Sequence, residues 1–234
     1  MTADVTADIL ADVTADVPAE GITIFQPKRG FRYGAEAFWL TGFALESGTP
    51  AAAADFGTGS GVMAMLLGRL GIPTDGYDVR TEWEPFWSQS IASSRPLPVR
   101  LRRQDVREVS GSYELILSNP PYFPTGSGPA SPDPWKAAAR TETTATLAEF
   151  VASMTRCLAP AGRICLVIPV DRADELGAVY RRVDVGRRRA LVELRPGMST
   201  ASTTDAHAKV DERDTRVTQW YAVARGDARR PGTP

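Results

Sequence analysis

Two spacings of apolar residues alternate along most of this chain. Ala51–Phe56, Ile72–Val79, Tyr113–Leu117 and Arg163–Ile168 are short, mostly apolar runs bounded by turn formers, and Val99–Gln104 alternates apolar with basic residues; all read as strands. Helical spacings lie between them. Ala35, Phe38, Trp39 and Phe43 share one face ahead of Gly48, and Val62–Leu67 runs into a helix that Gly71 ends. Trp83, Trp87 and Ile91 recur at four-residue steps behind a Thr81-x-x-Glu84 capping box, and Leu147, Phe150, Val151, Met154 and Leu158 form an apolar stripe behind Thr146-x-x-Glu149. Further on, Asp171 is expected to cap a helix reaching about Arg182. The last strands are expected at Arg187–Leu194 and Val217–Ala224. Strands alternating with helices imply right-handed crossovers and a parallel sheet; the final two strands, with no good helix between them, imply an antiparallel hairpin at one edge.

Outside this alternation the chain is polar. Residues 1–21 repeat a Thr-Ala-Asp-Val unit and carry Asp4, Asp8, Asp12, Asp16 and Glu20 without a basic residue. In a helix those aspartates would form a like-charge stripe at i, i+4. An acidic, disordered or loosely helical tail without chemistry is therefore expected over 1–21, then one domain over 22–225 and a short tail over 226–234. Residues 124–139, rich in Pro, Gly and Ser, predict a mobile loop. Residues 199–216 predict a polar insertion whose His207, the one histidine in the chain, reads as solvated.

Composition narrows the class. With 234 residues, 43% apolar and 24% charged, the chain has enough apolar mass for a substantial core. No apolar run approaches the ~18–20 residues that span a bilayer, and no signal-peptide pattern opens the chain, so a cytoplasmic protein with no membrane partner is expected. Cys157 and Cys165 lack metal-ligand or redox spacing and read as buried free thiols; no metal is expected. The acidic tail contributes −5 to a net charge of −1 and leaves +4 on the rest. Of the 27 basic residues 24 are Arg, which forks onto planar anions where Lys does not. A monomer is the expected state.

Two turns carry candidate chemistry. Ser118-Asn119-Pro120-Pro121-Tyr122-Phe123 follows the fourth strand of the alternation, and its consecutive prolines end the ladder there. The Asn119 side chain and the Pro120 carbonyl then offer two fixed acceptors to a planar NH2 group, with Tyr122 as a flat face for the ring that bears it. Asp55-Phe56-Gly57-Thr58-Gly59-Ser60-Gly61 follows the first strand and leads into a helix, so the backbone can approach a ligand under a helix N-terminus. Its spacing is neither the dinucleotide G-x-G-x-x-G nor a P-loop. Asp78, 23 residues after Asp55, ends the second strand, where an acid accepts hydrogen bonds from a ribose diol. Asp105, after the third strand, reads equally as a turn residue or an acceptor for an adenine amine, and Glu36 equally as a helix-dipole partner or a ligand contact. With strand order 3-2-1-4-5 the two turns are neighbours at the topological switch point.

The D-x-G-x-G-x-G turn resembles motif I of S-adenosylmethionine-dependent methyltransferases. Together with Asn-Pro-Pro-Tyr, Gly30–Glu36, Ala139–Glu142 and Leu158–Val167, it makes the region from about Gln26 to Pro169 similar to class I enzymes. Among these, the bacterial N6-adenine methyltransferases of the valine-tRNA anticodon loop are the narrower resemblance. The resemblance implies a Rossmann-like, doubly wound, mostly parallel seven-stranded sheet with S-adenosyl-L-methionine as cofactor and tRNA as nucleic-acid partner. It implies that Asp55, Gly57, Gly59 and Gly61 cradle the methionine part. Asp78 would hold the ribose and Asp105 the adenine of the cofactor, with Tyr33 and Glu36 closing over it. Asn119 and Pro120 would orient the target amine, while Tyr122, Phe123 and Arg140 meet the substrate. The family usually has Asp at position 36, and residues 199–216 match nothing in it. Rival readings are a guanine-N2 methyltransferase of ribosomal RNA, a protein-glutamine N5-methyltransferase, and an RNA-binding scaffold without catalysis.

Overall fold

The computed structural model describes residues 12–28, 32–121, 145–197 and 207–228. The sheet is built on the alternating segment: β3 (Ala53–Phe56), α2 (Val62–Arg69), β4 (Thr74–Asp78), α3 (Glu84–Ser93), β5 (Val99–Arg103), β6 (Tyr113–Ser118), α4 (Leu147–Arg156) and β7 (Leu158–Pro169). Ahead of it come β1 (Val13–Ala19), β2 (Ile22–Pro27) and α1 (Glu36–Glu46). After it come β8 (Arg181–Val185), β9 (Arg189–Leu194), β10 (His207–Val210) and α5 (Thr215–Arg225). The strand order is β10-β8-β9-β7-β6-β3-β4-β5. From β5 to β7 all pairs are parallel, and β7-β9 and β9-β8 are antiparallel. The doubly wound, mostly parallel sheet expected from the sequence is present, and its central order is the expected 3-2-1-4-5.

Alternation along each strand sorts the core into two faces. Leu115, Leu117, Cys165 and Val167 join α1, α2 and α5 on one side. Ile116, Ile164, Leu166 and Ile168 join Leu147, Phe150 and Met154 of α4 on the other. Both arms of the Thr146 capping box form: the Thr146 hydroxyl accepts the Glu149 amide at 3.2 Å and Glu149 accepts the Thr146 amide at 2.8 Å. The Thr81 box does not. Thr81–Trp83 is a 3-10 turn without a side-chain cap, and α3 begins after it with Pro85 in its first turn, where the missing amide hydrogen is harmless.

Four expectations need correction. Residues 13–19 of the expected tail form β1, antiparallel to β2. Aspartates that would repel along a helix are neutralised in the hairpin, where Asp12 pairs with Lys28 at 3.0 Å and Asp16 with Arg32 at 2.8 Å. Among the described residues the main sheet has eight strands rather than seven, because part of the expected insertion, 207–210, pairs with β8. The helix expected from Asp171 is a 3-10 segment, Val170–Leu176; Gly177 at φ +70° stops it, and Arg181–Val185 becomes a strand. Val217–Ala224 is not a strand but lies within α5. Val217, Trp220, Val223 and Ala224 fall on one buried face, Asp214 caps the start by accepting the Arg216 amide, and Gly226 at φ +72° ends it. Gly42 of α1 makes room for this helix: a Cβ there would lie 2.4 Å from Trp220 Cα. The loop expected at 124–139 lies outside the described residues.

Candidate active site

The carboxyl ends of β3 and β6 are adjacent, with Asp55 opposite Leu117. The glycine turn leaves the first and the Asn119 turn leaves the second. A buried hydrogen bond ties them: the Ser118 hydroxyl donates to the Phe56 carbonyl at 2.6 Å. Each partner immediately precedes its turn, so the bond fixes the spacing between the two motifs at its origin. Asn119 is half-buried and Pro120 buried beyond it. Tyr122, Phe123 and Arg140 lie outside the described residues.

Gly57, Gly59 and Gly61 have φ of +75°, +52° and +83°, the left-handed region where a side chain is strained. At Gly61 a Cβ would also stand 2.6 Å from Leu101 Cδ1. The Gly57 and Thr58 amides both donate to the Tyr77 carbonyl of the neighbouring strand, at 2.8 and 2.9 Å. The Gly59 peptide is held at both ends: its amide donates to Asp78 Oδ2 at 3.0 Å and its carbonyl accepts the Trp87 indole N–H at 2.8 Å. Gly61 then opens α2 without a side-chain cap, leaving a positive helix end beneath the turn.

Asp55 is fully buried under this cradle. Burial pushes its carboxyl up to about 7, with the Thr58 hydroxyl and the Ala64 amide opposing and Asp78 adding to the rise. Asp55 Oδ2 accepts the Thr58 hydroxyl at 2.6 Å, whereas Oδ1 receives no hydrogen bond among the described residues. Asp78, also buried, braces the turn and accepts the Arg80 amide with Oδ1 at 3.0 Å. Asp105 is forked by Arg107 at 2.6 Å, and that guanidinium holds its carboxyl below the usual range. Glu36, at the start of α1, pairs with Arg189 of β9 at 3.2 Å. Tyr33 donates its amide to Gln26 and packs on Phe38, and burial followed by Asp16 pushes its hydroxyl up to about 12.

Three contributors were missed from the sequence. Ser118 has no signal apart from preceding the Asn119 turn. Arg189 sits in a run of arginines that did not single it out. The spacing of Trp87 with Trp83 and Ile91 marks a helix face, and its ring is buried, but only the fold shows its N–H meeting the glycine turn. The remaining candidates separate from this edge. His207 is exposed, as expected, but lies at the amino end of β10, 2.8 Å from Asp184, rather than in a loop. Cys157 and Cys165 are free and buried, with burial raising both thiols. Among the described residues no helix is long and apolar enough to cross a membrane.

A cationic ligand with a methionine part fits this edge. The orphaned Asp55 oxygen supplies a buried negative site, the glycines permit the left-handed backbone that puts the turn over it, and the uncapped helix end suits a carboxylate.

Comparisons with known proteins point to methyltransferases. No family model matches the chain. The tRNA1(Val) (adenine(37)-N6)-methyltransferase of Aeromonas salmonicida is 32% identical over 137 residues, 56% of this chain and 57% of that protein. Its namesake in Tolumonas auensis is 30% identical over 189 residues, 73% of this chain and 78% of that protein. Several such matches span only about half the relative's length. A putative RNA methyltransferase of Pyrococcus horikoshii superposes with a TM-score of 0.54 over 72% of this chain and 86% of its own; at 13% identity the likeness is one of fold.

Proposed function

Because the chain belongs to the S-adenosylmethionine-dependent methyltransferase family of the tRNA1(Val) (adenine(37)-N6)-methyltransferases, we propose that it methylates the exocyclic N6 amine of an adenine in RNA, in a tRNA anticodon loop. The Ser118–Phe56 bond carries this reading, since it holds an Asn-Pro-Pro turn beside the glycine cradle. An adenine amine is a poor nucleophile, its lone pair being delocalised into the ring. The Asn119 side-chain carbonyl and the Pro120 carbonyl accept its two hydrogens and return density to the nitrogen, a preorganised electrostatic effect. Tyr122 or Phe123 stacks on the base and Arg140 contacts the substrate. S-adenosylmethionine, when bound, supplies an electrophilic sulfonium methyl whose bonding pair leaves with sulfur. The nitrogen sheds one proton to water, so the buried thiols and distant His207 have no part.

In this reading Asp55, Gly57, Gly59 and Gly61 shape the methionine end. Asp78 faces the ribose and Asp105 the cofactor adenine, while Tyr33 and Glu36 cover them. The substrate implies a cytoplasmic site of action. The test offers labelled cofactor with total tRNA, an adenine-containing DNA strand and a glutamine peptide in parallel, followed by nucleoside mass spectrometry. N6-methyladenine in tRNA is the expected product; label on the peptide alone, or as N2-methylguanine, overturns the assignment.

Asp55 gives the cofactor step a pH dependence. Its folded pKa, about 7, lies above that of an unfolded carboxyl. The stability of the ligand-free protein therefore falls as pH rises from ~4 to ~7 and is flat above, because the unfolded chain releases its proton first. A cationic ligand favours the ionised carboxylate, so cofactor affinity should rise up to about tenfold per pH unit below 7 and level off above it. Calorimetry in buffers of different ionisation enthalpy should show proton release, and Asp55→Asn should abolish it. A pH-independent affinity between 5.5 and 8 would contradict this role.

A further inference from the structure

The fold separates arginines that the sequence leaves equivalent. Arg100 forks onto Asp75 at 2.7 and 3.0 Å, Arg103 pairs with Glu84 at 3.7 Å, and Arg107 with Asp105 at 2.6 Å. Arg181 pairs with Glu193 at 2.9 Å, Arg182 with Asp184 at 2.7 Å and Arg189 with Glu36 at 3.2 Å. A guanidinium already met by a carboxylate attracts a further anion weakly. Arg187 and Arg188 differ: both are exposed, and neither side chain makes an ion pair among the described residues.

These two arginines form, with Gly186, the turn between β8 and β9. Pro169 pairs with Arg189, which puts the turn at the carboxyl edge, the edge of Gly57 and Asn119. β9 stands two strands from β6, roughly 10 Å across the sheet. The Gly186 amide donates to the Val210 carbonyl at 2.9 Å, tying the turn to the end of β10, beyond which the exposed Arg213 follows. Carboxylates also stand at this corner: Asp211 accepts the Arg213 amide, and exposed Glu212 has its Oε1 3.5 Å from a Cβ built on Gly186. Exposed Asp171 follows Val170, whose amide donates to the Arg188 carbonyl at 3.3 Å, and Glu36 is held by the adjoining Arg189. Arginine, with its planar fork, suits phosphate oxygens.

We propose that the Arg187–Arg188 turn, with Arg213, is a docking surface for the RNA phosphodiester backbone, holding the strand at the edge where the Asn119 turn receives the base. Glu212 is its internal counter-charge. The inference rests on the RNA reading above, and its test keeps the two apart. Binding of fluorescent bulk tRNA to the full chain is measured from low to moderate salt. Each phosphate contact adds about 0.7–0.9 to the log–log salt slope, so Arg187→Gln/Arg188→Gln should flatten it by roughly 1.4–1.8. Glu212→Gln should tighten binding several-fold. Arg102→Gln removes an exposed guanidinium, without an ion pair among the described residues, from β5 at the opposite edge of the sheet and should leave the slope unchanged. Affinity for S-adenosylhomocysteine should stay constant throughout. If wild type methylates tRNA but the double variant keeps the full slope, or only matches the loss in Arg102→Gln, this surface is overturned and the RNA reading stands. If wild type neither binds nor methylates tRNA, both fall.

Discussion

Asn119→Ala should slow single-turnover methyl transfer by about 10²–10³-fold, the cost of one preorganised acceptor at a charge-developing centre. Affinity for the cofactor should barely change. Pro120, Pro121 and the Ser118–Phe56 hydrogen bond fix the backbone on either side, and Asn119 is half-exposed, so its truncation removes chemistry rather than support. Stability should move by no more than about 0.5 kcal/mol, as for surface changes away from special features. Asn119→Asp keeps both carbonyl-type acceptors and discriminates further: it should retain more transfer than Asn119→Ala. A rate for Asn119→Ala equal to wild type, measured with saturating cofactor, would reduce Asn119 to a turn residue.

Deleting residues 2–20 should both destabilise the protein and weaken cofactor binding, although that stretch looked like a dispensable tail. Val13 and Phe25 of the hairpin pack on Trp83, Phe86 and Trp87. The hydroxyls of Ser90 in α3 and of Ser94 just after it accept the Phe25 and Thr23 amides at 2.9 and 3.0 Å, and Asp16 accepts from Gln26 and Arg32 beside Tyr33. Losing β1 uncovers these rings, at about 2–4 kcal/mol, which for a domain of this size is a fall of roughly 10 °C in Tm. Through Trp87 the loss reaches the Gly59 peptide, so S-adenosylhomocysteine should bind at least about tenfold more weakly. Because it leaves the hairpin in place, Trp87→Phe supplies the cleaner measurement. It keeps most of the ring and leaves one buried carbonyl without its donor, a cost of about 1–3 kcal/mol. Roughly tenfold weaker binding, with a Tm within a few degrees of wild type, is expected; unchanged binding in that folded variant would detach the hairpin from the site.

What could be read from the sequence divides by the range of the interactions. β6 and β7 announce themselves by apolar runs, the Ala-rich β3 by the glycine turn that follows it, and α4 by its capping box, because those signals are local. The neighbouring position of the two turns follows from strand order, a rule rather than a contact. By contrast, β1 reads as repulsive until Lys28 and Arg32 are brought across from it. α5 misleads because Val217, Trp220, Tyr221 and Val223 are residue types that favour strands, while its helical state depends on Asp214, Gly226 and the face of α1. Trp87 lies 28 residues from Gly59, and no spacing rule joins an indole to a backbone carbonyl.

The bracing of the glycine turn also limits how it greets a ligand. The amides of Gly57 and Thr58 are spent on Tyr77, that of Gly59 on Asp78, and that of Gly61 on the Thr58 carbonyl. Among the described residues, the Ser60 amide is the one N–H within Gly57–Gly61 left without a recorded acceptor, followed by those of Val62 and Met63, while the Ala64 amide is directed at Asp55. The glycines therefore set the path of the backbone rather than act as hands that grip. Discrimination at such a turn falls to the buried carboxylate, so analogues that preserve positive charge should compete even when their hydrogen-bonding atoms are exchanged.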